Sequence, residues 1–354
     1  MENIYNGKRV LITGHTGFKG SWLTLWLQKL GAEVIGYALD PLTERDNYSL
    51  TIDKDSIKDI RGDIRDTHEL DKVFKLYKPQ IVFHLAAQPL VLKSYEDPKY
   101  TYEVNVMGTL NLLLAASQCE DTKAIIVVTS DKCYKNNEWI YSYREEDTLG
   151  GHDPYSSSKA AVEILTSSFR SSFYPLTSFD KPKKLIATVR AGNVIGGGDW
   201  SPNRIVPDSI KALEAQKSIE IRNYKSVRPW QHVLEPLSGY LLVGSLLIQG
   251  EEKYSGAWNF GPKDEGIITV EEIVQKIIKY YGRGSYYIKP PTGTTLHEAG
   301  LLSLDISKAR RLLNWEPKWT VEEAVEKTLL WYKEYKSKNI KKITEDILNS
   351  YKAY

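Results

Sequence analysis

The chain alternates short apolar runs with helix-like segments through its first 190 residues. The apolar runs are rich in Val and Ile and lie at residues 9–13, 33–38, 81–85, 124–128 and 185–190. Helical periodicity occupies the intervals at residues 21–30, 70–77, 104–117 and 154–170. Strands that alternate with helices form βαβ units, which place their strands in a parallel sheet. The pattern therefore predicts an α/β fold built on a doubly wound parallel sheet.

A glycine-rich loop joins the first run to the first helix. Its residues Gly14, Gly17 and Gly20 have the spacing GxxGxxG, with Thr16 and Phe18 between the glycines. Glycines let the backbone turn tightly and approach a diphosphate, and the start of the following helix supplies unpaired N–H groups. The loop therefore indicates a dinucleotide site, and its alternative interpretation is an ordinary strand-to-helix turn.

Two acidic residues follow later strands. Asp40 comes directly after the second strand, where a carboxylate can bind a ribose 2′-hydroxyl and repel a 2′-phosphate. This position favours NAD over NADP, although Arg45 lies nearby and Asp40 also fits a simple turn before Pro41. Asp63 and its neighbour Ile64 are candidates to contact adenine, and a solvated loop explains them equally well.

A tyrosine, a lysine and a serine form the candidate catalytic group. Tyr155 and Lys159 are four residues apart on a predicted helix, so they share one face. An adjacent ammonium stabilises a phenolate, and a phenolate can act as a general base. Ser130 follows the strand at 124–128, at the carboxyl edge where parallel sheets bind ligands. The glycine loop, the serine and the Tyr-x-x-x-Lys pair are far more specific together than separately.

This order of motifs resembles the extended short-chain dehydrogenase/reductase superfamily over about residues 7–335. Supporting segments lie at residues 84–88, 105–109 and 190–196. The resemblance implies that Ser130, Tyr155 and Lys159 are the catalytic triad and that Lys159 also contacts the nicotinamide ribose. It further implies support of the lysine by Asn105 through the helix. The residues that would line the NAD cofactor after the fourth strand are Leu85, Ala86, Ala87 and Gln88.

The residues that follow the triad serine indicate the branch of the superfamily. Nucleotide-sugar 4,6-dehydratases usually carry Thr-Asp-Glu, and this chain has Ser130-Asp131-Lys132. Together with the segment at 228–233, this variant is similar to dehydratases that act on CDP-glucose. The resemblance implies oxidation at C4, elimination of water across C5–C6 and hydride return to C6. Asp131 is the candidate acid, and Lys132 is either the base at C5 or a charged stabiliser of the enolate.

The substrate diphosphate requires cationic side chains, because arginine forks match phosphate geometry. Arg228 is the strongest candidate and Arg204 the second, and for each of them a surface salt bridge is the alternative. The resemblance adds four further substrate contacts: Gln88, Asn193, His297 and Glu298. Trp230, Trp258 and Trp315 are expected to pack in the core, and His84 is expected to be a hydrogen-bonded core or loop residue.

The second half of the chain loses the βαβ rhythm after about residue 191. Apolar helices are predicted at 236–248, 270–281 and 321–335, with a weakly determined Lys-rich tail. We predict a Rossmann-type NAD-binding domain over residues 1–190, completed by about 228–262. A smaller mixed α/β lobe for the nucleotide sugar would comprise 191–227 and 263–354.

Composition narrows the function classes without selecting one. The 354 residues carry 47 Lys and Arg against 45 Asp and Glu, which argues against a nucleic-acid scaffold. Cys119 and Cys133 are too few for a disulfide framework, and no residue pair suggests a metal site. Neither an apolar signal core nor a run of about 18 apolar residues occurs. We therefore expect a cytoplasmic protein with reduced thiols.

Other functions remain alternatives at this point. The chain could be a different nucleotide-sugar dehydratase or an epimerase on the same fold, or an inactive NAD-binding regulator. The Asp131-Lys132 pair argues for elimination, and the intact triad argues against an inactive protein. Helices 104–117 and 154–170 resemble the pair that forms a four-helix dimer interface in the superfamily, so a homodimer or a higher homo-oligomer is expected. The family's usual role is the supply of deoxysugars for bacterial surface polysaccharides, including the O-antigen of lipopolysaccharide.

Overall fold

A central sheet of seven parallel strands organises the chain. The computed structural model describes residues 2–176, 183–290 and 300–351. The strand order is β11-β6-β5-β4-β1-β2-β3, and every neighbouring pair is parallel. These strands are β1 (Arg9–Thr13), β2 (Glu33–Ala38), β3 (Lys58–Arg61), β4 (Ile81–His84), β5 (Ala124–Val128), β6 (Leu185–Ala191) and β11 (Ala257–Phe260). The predicted doubly wound parallel sheet is confirmed.

Helices surround this sheet and continue into the second half of the chain. They are α1 (Glu2–Tyr5), α2 (Phe18–Lys29), α3 (Asn47–Thr51), α4 (Thr67–Tyr77), α5 (Val91–Glu96), α6 (Pro98–Tyr102), α7 (Gly108–Gln118), α8 (Pro154–Phe173), α9 (Ile205–Glu214), α10 (Leu234–Ile248), α11 (Val270–Tyr281), α12 (Ser307–Leu313), α13 (Val321–Glu334) and α14 (Ile340–Ser350). None of the helices in the described ranges combines the length and the apolarity needed to cross a membrane.

Alternate residues of the central strands enter two separate cores. In β1, Val10 and Ile12 pack in a cluster that includes Trp22 of α2, while Leu11 packs in a second cluster with Leu112 of α7. Successive side chains of a strand point to opposite faces, so a sheet covered by helices on both sides needs continuous apolar strands. This requirement explains why the apolar runs were readable in the sequence.

Small two-stranded sheets lie outside the central one. They pair β7 (Val194–Ile195) with β10 (Gln231–His232), β9 (Val227–Pro229) with β12 (Ile267–Thr269), and β8 (Ile219–Ile221) with β13 (Tyr286–Ile288). Between them the chain returns to the central sheet, where β11 pairs in parallel with β6. The last strand of the large sheet therefore comes from the second half of the sequence.

Two local elements at the carboxyl edge of the sheet differ from the expected regular helix or loop. The predicted helix at 104–117 begins as a π-helical turn, Glu103–Met107, and continues as α7. A 3-10 helix, Asp131–Cys133, follows β5. Single π-helical turns recur at functional sites, and both of these elements carry candidate site residues.

Candidate active site

The glycine loop is pressed against the sheet so closely that side chains would not fit. Gly14 has φ +75°, and a Cβ there would lie 2.8 Å from the backbone nitrogen of Ala86. A Cβ on Gly20 would lie 2.1 Å from the carbonyl oxygen of Gly14. Thr16 ties the loop to the end of β2 by donating a hydrogen bond to the Leu39 carbonyl at 2.9 Å. The spacing of the glycines is thus required by close packing of strand, loop and helix.

The start of α2 fits the diphosphate of a dinucleotide. The helix has 12 residues, Gly17 provides no side-chain cap, and its first turn contains no acidic residue. Uncapped N–H groups and the positive end of the helix dipole favour an anion at this point. Phe18 opens the helix and its ring lies against Gly196. The cradle therefore fits the cofactor predicted from the sequence.

The two acidic candidates for the adenosine end of the cofactor are both held by arginines. Asp40 is 87% exposed beyond β2, and its Oδ1 lies 3.1 Å from Nε of Arg61. Asp63 accepts two bonds from the Arg65 guanidinium, which is the main cause of its lowered pKa. Ile64 is buried beside Gly108. Of the two carboxylates, Asp40 is the more accessible to a ribose hydroxyl.

Arg45 is the residue whose position in the sequence keeps NADP as an alternative cofactor. Its guanidinium lies over the Trp200 ring, 4.4 Å from the ring centroid. Cation–π contact of this kind holds the guanidinium against the aromatic face. The arrangement turns Arg45 toward Trp200 and leaves Asp40 as the charged group directly after β2.

Ser130, Asp131 and Lys132 form a connected group at the carboxyl end of β5. The Ser130 hydroxyl donates to Asp131 Oδ1 at 2.9 Å, and Lys132 Nζ lies 3.2 Å from the same oxygen. Asp131 is fully buried, and its Oδ2 has no hydrogen-bond partner among the described residues. One carboxylate oxygen is therefore saturated, and the other is available to a ligand.

The helix α8 begins one residue before Tyr155, the candidate catalytic tyrosine. Asp153 and Ser156 form a capping box, and Pro154 occupies the first helical position. These features fix the first turn of the helix, because they satisfy its free N–H groups and preset its backbone angle. Tyr155 is anchored further by its backbone N–H, which donates to Ser94 Oγ at 3.1 Å.

Tyr155 and Lys159 are both buried on the face predicted for them. Burial raises the pKa of Tyr155 to about 12, while a hydrogen bond with Ser130 and the charge of Arg204 oppose that rise. Burial lowers the pKa of Lys159 to about 8, against the attraction of Glu163. Desolvation outweighs the nearby positive charge of Arg204, so the pKa of Tyr155 lies above its ordinary value.

Asn105 organises the turn on which the triad rests. Its Nδ2 donates to Ser158 Oγ at 2.8 Å and to the Gln88 carbonyl at 3.1 Å, and its Oδ1 accepts from the Gln88 N–H. Ser158 precedes Lys159 on α8, so Asn105 is hydrogen-bonded to the helical turn that carries the lysine. The Gln88 amide donates to Thr101 Oγ1 and to the Leu90 carbonyl and thus shapes its own loop.

The candidate substrate residues differ in their burial and in their hydrogen-bond partners. Arg204 is paired with Asp199 at 2.8 Å and lies within electrostatic range of Tyr155. Asn193 has a buried Oδ1 without a partner in the described part of the chain. Arg228 is buried and donates to the carbonyls of Val227 and Gly300. His297 and Glu298 lie outside the described residues.

A buried ion pair behind the triad was not anticipated. Glu163 accepts hydrogen bonds from Nε and Nη2 of Arg190, both at 2.8 Å, and also from the hydroxyls of Thr129 and Thr188. Arg190 in turn donates to the Tyr134 hydroxyl. The available signal was the spacing, since Glu163 follows Lys159 by four residues and shares its helix face.

Residues treated as structural in the sequence are confirmed as such. Trp230, Trp258 and Trp315 are at most 4% exposed. His84 is buried, and its two ring nitrogens contact Thr13 Oγ1 at 2.7 Å and Thr109 Oγ1 at 3.0 Å.

Comparison with known proteins agrees with this constellation. The sequence profile described as GDP-mannose 4,6 dehydratase matches residues 11–328. The chain belongs to the GDP-mannose 4,6 dehydratase family. Within related sequences, a CDP-glucose 4,6-dehydratase of Salmonella typhimurium is 47% identical over 332 residues, which covers 94% of this chain and 92% of the relative.

Solved structures share the fold of this family member. An epimerase from Methanothermobacter thermautotrophicus superposes with a TM-score of 0.82 at 26% identity, covering 97% of this chain and 96% of its own. A dTDP-glucose 4,6-dehydratase from Bacillus anthracis, solved in complex with NAD, has a TM-score of 0.76 at 22% identity and covers 94% and 100% of the two chains. Both solved proteins therefore share the overall fold of this chain.

Proposed function

We propose that this chain is an NAD-dependent hydro-lyase that converts CDP-glucose to CDP-4-keto-6-deoxy-glucose. The observation that carries the reaction class is the free, buried Oδ2 of Asp131 next to a Ser130–Tyr155 pair. Such a site joins an oxidation apparatus to a group that can serve an elimination. The cytidine nucleotide is supported by the 47% identical Salmonella relative.

The first step depends on Tyr155. Bound NAD supplies the chemistry of accepting a hydride from C4 and returning it to C6. Tyr155 takes the proton of the 4-hydroxyl as general base, and Ser130, its hydrogen-bond partner, orients the same oxygen. Burial raises the pKa of Tyr155 to about 12, and the hydrogen bond with Ser130 and the charge of Arg204 oppose this rise and favour the ionised form needed for this step.

The elimination step uses the pair formed by Asp131 and Lys132. The step needs an acid for the C6 hydroxyl and a base for the C5 proton, which the 4-ketone acidifies. Transfer of one proton from the Lys132 ammonium to Asp131 yields a neutral amine and a protonated carboxyl group together. The separation of 3.2 Å between Lys132 Nζ and Asp131 Oδ1 permits this transfer directly. Rotation of the carboxyl group would place this proton on Oδ2, which has no hydrogen-bond partner among the described residues, and from there the proton would pass to the leaving C6 hydroxyl.

The cofactor assignment follows from the loop and the second strand. The N-terminus of α2 would hold the diphosphate, and Asp40 would accept from the ribose hydroxyls. Lys159 and the segment at 85–88 would border the nicotinamide end, as the family resemblance implies. A carboxylate at Asp40 disfavours the 2′-phosphate of NADP.

We also propose a homodimer formed by α7 and α8. Leu114 of α7 and Ile164 of α8 are 48% and 59% exposed, and Phe173 at the end of α8 is 55% exposed. Exposed apolar side chains on adjacent helices are typical of an interface between copies. We further propose that the protein is cytoplasmic and supplies deoxysugars for surface polysaccharides such as O-antigen. We also propose that the chain divides into two lobes at about residue 190.

One experiment tests the reaction and the nucleotide together. The purified protein is incubated separately with CDP-, dTDP- and GDP-hexoses, and the products are identified by NMR. We expect a 4-keto-6-deoxy sugar from CDP-glucose and no product with the Tyr155→Phe variant. Turnover of dTDP-glucose in preference to CDP-glucose contradicts the nucleotide assignment, and a C4 epimer as product contradicts the elimination.

A further inference from the structure

Lys19 lies in the glycine loop, and it is within electrostatic range of the candidate catalytic residues Asp131 and Lys159. It occupies the first turn of α2, and its ammonium lies 5.9 Å from the centroid of the Tyr240 ring. It has no carboxylate within ion-pair distance among the described residues. A partly buried lysine without a counterion is costly, because burial disfavours an isolated charge. Such a cation calls for a ligand that completes its contacts.

The charges around Lys19 come from three other parts of the fold. Arg204, Asp131, Lys159 and Lys132 all lie within electrostatic range of its ammonium. Among these charges Arg204 has the largest effect on Lys19, ahead of the attraction by Asp131. Three of the four neighbours are cations, so the protein without ligands holds an excess of positive charge at this point. A negatively charged group placed between the cations would remove their repulsion.

Unpartnered polar atoms surround the same position. The Tyr240 hydroxyl is completely buried without a hydrogen bond in the described part of the chain, and it is electrostatically coupled to Asp131 and Tyr155. Asp131 Oδ2 and Asn193 Oδ1 are also buried and unpartnered in the described part of the chain, and as acceptors they fit the hydroxyls of a sugar and not a diphosphate. Buried polar groups are nearly always hydrogen-bonded, so a group of exceptions marks a place where a ligand supplies the partners.

We propose that Lys19 and Arg204 form a two-cation clamp for a diphosphate ester. The inference rests on the proposed function, because the nucleotide sugar and the dinucleotide are the diphosphate esters of that reaction. Arg204 is held in place by Asp199 and is permanently charged. Lys19 has no such partner and is the adjustable member of the clamp.

The protonation state of Lys19 gives the clamp a measurable signature. Burial, followed by the repulsion of Arg204, lowers the pKa of Lys19 to about 7. The residue is therefore divided between amine and ammonium at neutral pH. An anion next to the nitrogen raises the pKa and draws in a proton, so binding near pH 7 takes up about half a proton per site.

The test measures binding and proton uptake by calorimetry. CDP-xylose is titrated into the holoenzyme at pH 7 in buffers of different ionisation enthalpy. This probe lacks C6, and its diphosphate is a diester that does not titrate near neutrality. We expect proton uptake by the wild type, and in Lys19→Met a loss of uptake with at least about tenfold weaker binding. Lys19→Arg keeps most of the affinity without uptake, because arginine remains protonated.

Matched controls separate the clamp from loss of fold and from the assigned nucleotide. Lys29→Met removes an exposed lysine at the other end of α2 and leaves both quantities unchanged. NAD titrated into cofactor-free protein identifies the source, since a loss confined to NAD assigns the clamp to the cofactor diphosphate. Equal CDP-xylose and NAD binding by wild type and Lys19→Met overturns the clamp, as does wild-type uptake in Lys19→Arg. If UDP-xylose binds with uptake and CDP-xylose does not bind, the cytidine assignment fails and the clamp stands.

Discussion

Lys132 forms an ion pair with its own neighbour, with Nζ 3.2 Å from Oδ1 of Asp131. The second oxygen of that carboxylate, Oδ2, is buried and has no partner within the described residues. The pair therefore combines an ion pair at Oδ1 with an unpartnered oxygen at Oδ2. The proposed mechanism gives the two roles of the elimination to these consecutive residues.

Removal of the lysine amine is expected to stop the reaction after oxidation. In Lys132→Gln, the rate of dehydration should fall by about 100-fold or more, because general acid–base catalysis contributes that much. Oxidation at C4 should continue, since Tyr155 and Ser130 are unchanged. Stopped-flow absorbance would then show reduced cofactor accumulating in a single turnover with CDP-glucose.

Lys132→Arg distinguishes the two roles left open for this residue. Arginine retains the charge but does not deprotonate in proteins. If Lys132 is the base at C5, this variant is as inactive in dehydration as Lys132→Gln. Recovery of activity in the arginine variant would instead identify electrostatic stabilisation of the enolate.

Asp40 is expected to select the cofactor. Asp40→Ala should weaken NAD binding by about tenfold through the loss of a charge-assisted hydrogen bond, with a smaller effect on NADP. Fluorescence titration of cofactor-free protein measures both affinities. Glu44→Ala is the control, because it removes an exposed carboxylate from the same loop. Equal losses for the two cofactors would contradict contact between Asp40 and the ribose.

The Glu163–Arg190 pair is expected to stabilise the fold under the active site. Both side chains are 3% exposed, and Glu163→Ala would leave the Arg190 charge buried without its partner. Breaking such a pair reduces the free energy of unfolding by about 3–5 kcal/mol. Urea denaturation measures this loss. The double variant Glu163→Leu/Arg190→Met should lose less than the sum of the two single variants, and simple additivity would show that the charges do not couple.

His84 gives the stability a defined pH dependence. Burial, followed by the charge of Lys159, lowers its pKa to about 3, below the ordinary value of 6.5. The unfolded chain therefore binds a proton that the native protein excludes, so this contribution is present above pH 6.5 and is lost as the pH falls toward 3. Between these limits the free energy of unfolding should change by about 1.4 kcal/mol per pH unit for this group. His84→Gln should reduce that slope, as measured by denaturation at several pH values, and an unchanged slope would contradict the assignment.

A charge on the exposed face of α8 is expected to prevent dimer formation. Ile164→Glu places a carboxylate among the apolar side chains of the proposed interface, where an unpaired charge is strongly unfavourable. Light scattering coupled to size exclusion should report twice the chain mass for the wild type and the chain mass for the variant. Leu312→Glu alters a similarly exposed leucine on α12 and should remain dimeric. A wild-type monomer would refute the interface.

The strands and the triad were predictable because their signals are local. Strands buried on both faces must be continuously apolar, and β5 has all five residues buried. Tyr155 and Lys159 are one helical turn apart, which sequence spacing reports directly. In contrast, the position of α14 depends on distant partners such as the contact of Tyr351, directly after the helix, with Trp26. Tertiary packing of this kind leaves little trace in local sequence.

The residues that the sequence did not reveal act across elements. Arg190 belongs to β6 and Glu163 to α8, and their contact follows only from the place of the strand beside the helix. Lys19 lies between Phe18 and Gly20 in the glycine loop, and its proximity to Asp131 depends on the parallel order of β1, β4 and β5. The charged residues around a side chain depend on the folded structure, and a local sequence motif does not reveal them.

The pairing of β11 with β6 also bears on how the chain is synthesised. Until residues 257–260 have left the ribosome, β6 is an edge strand that lacks its pairing with β11. All seven residues of β6 are buried in the folded protein. Such an edge is a template for association with other chains. A nascent or truncated chain that stops near residue 190 would therefore expose an aggregation-prone edge strand. Producing residues 1–190 alone without aggregation would therefore require another strand that pairs with β6 in place of β11.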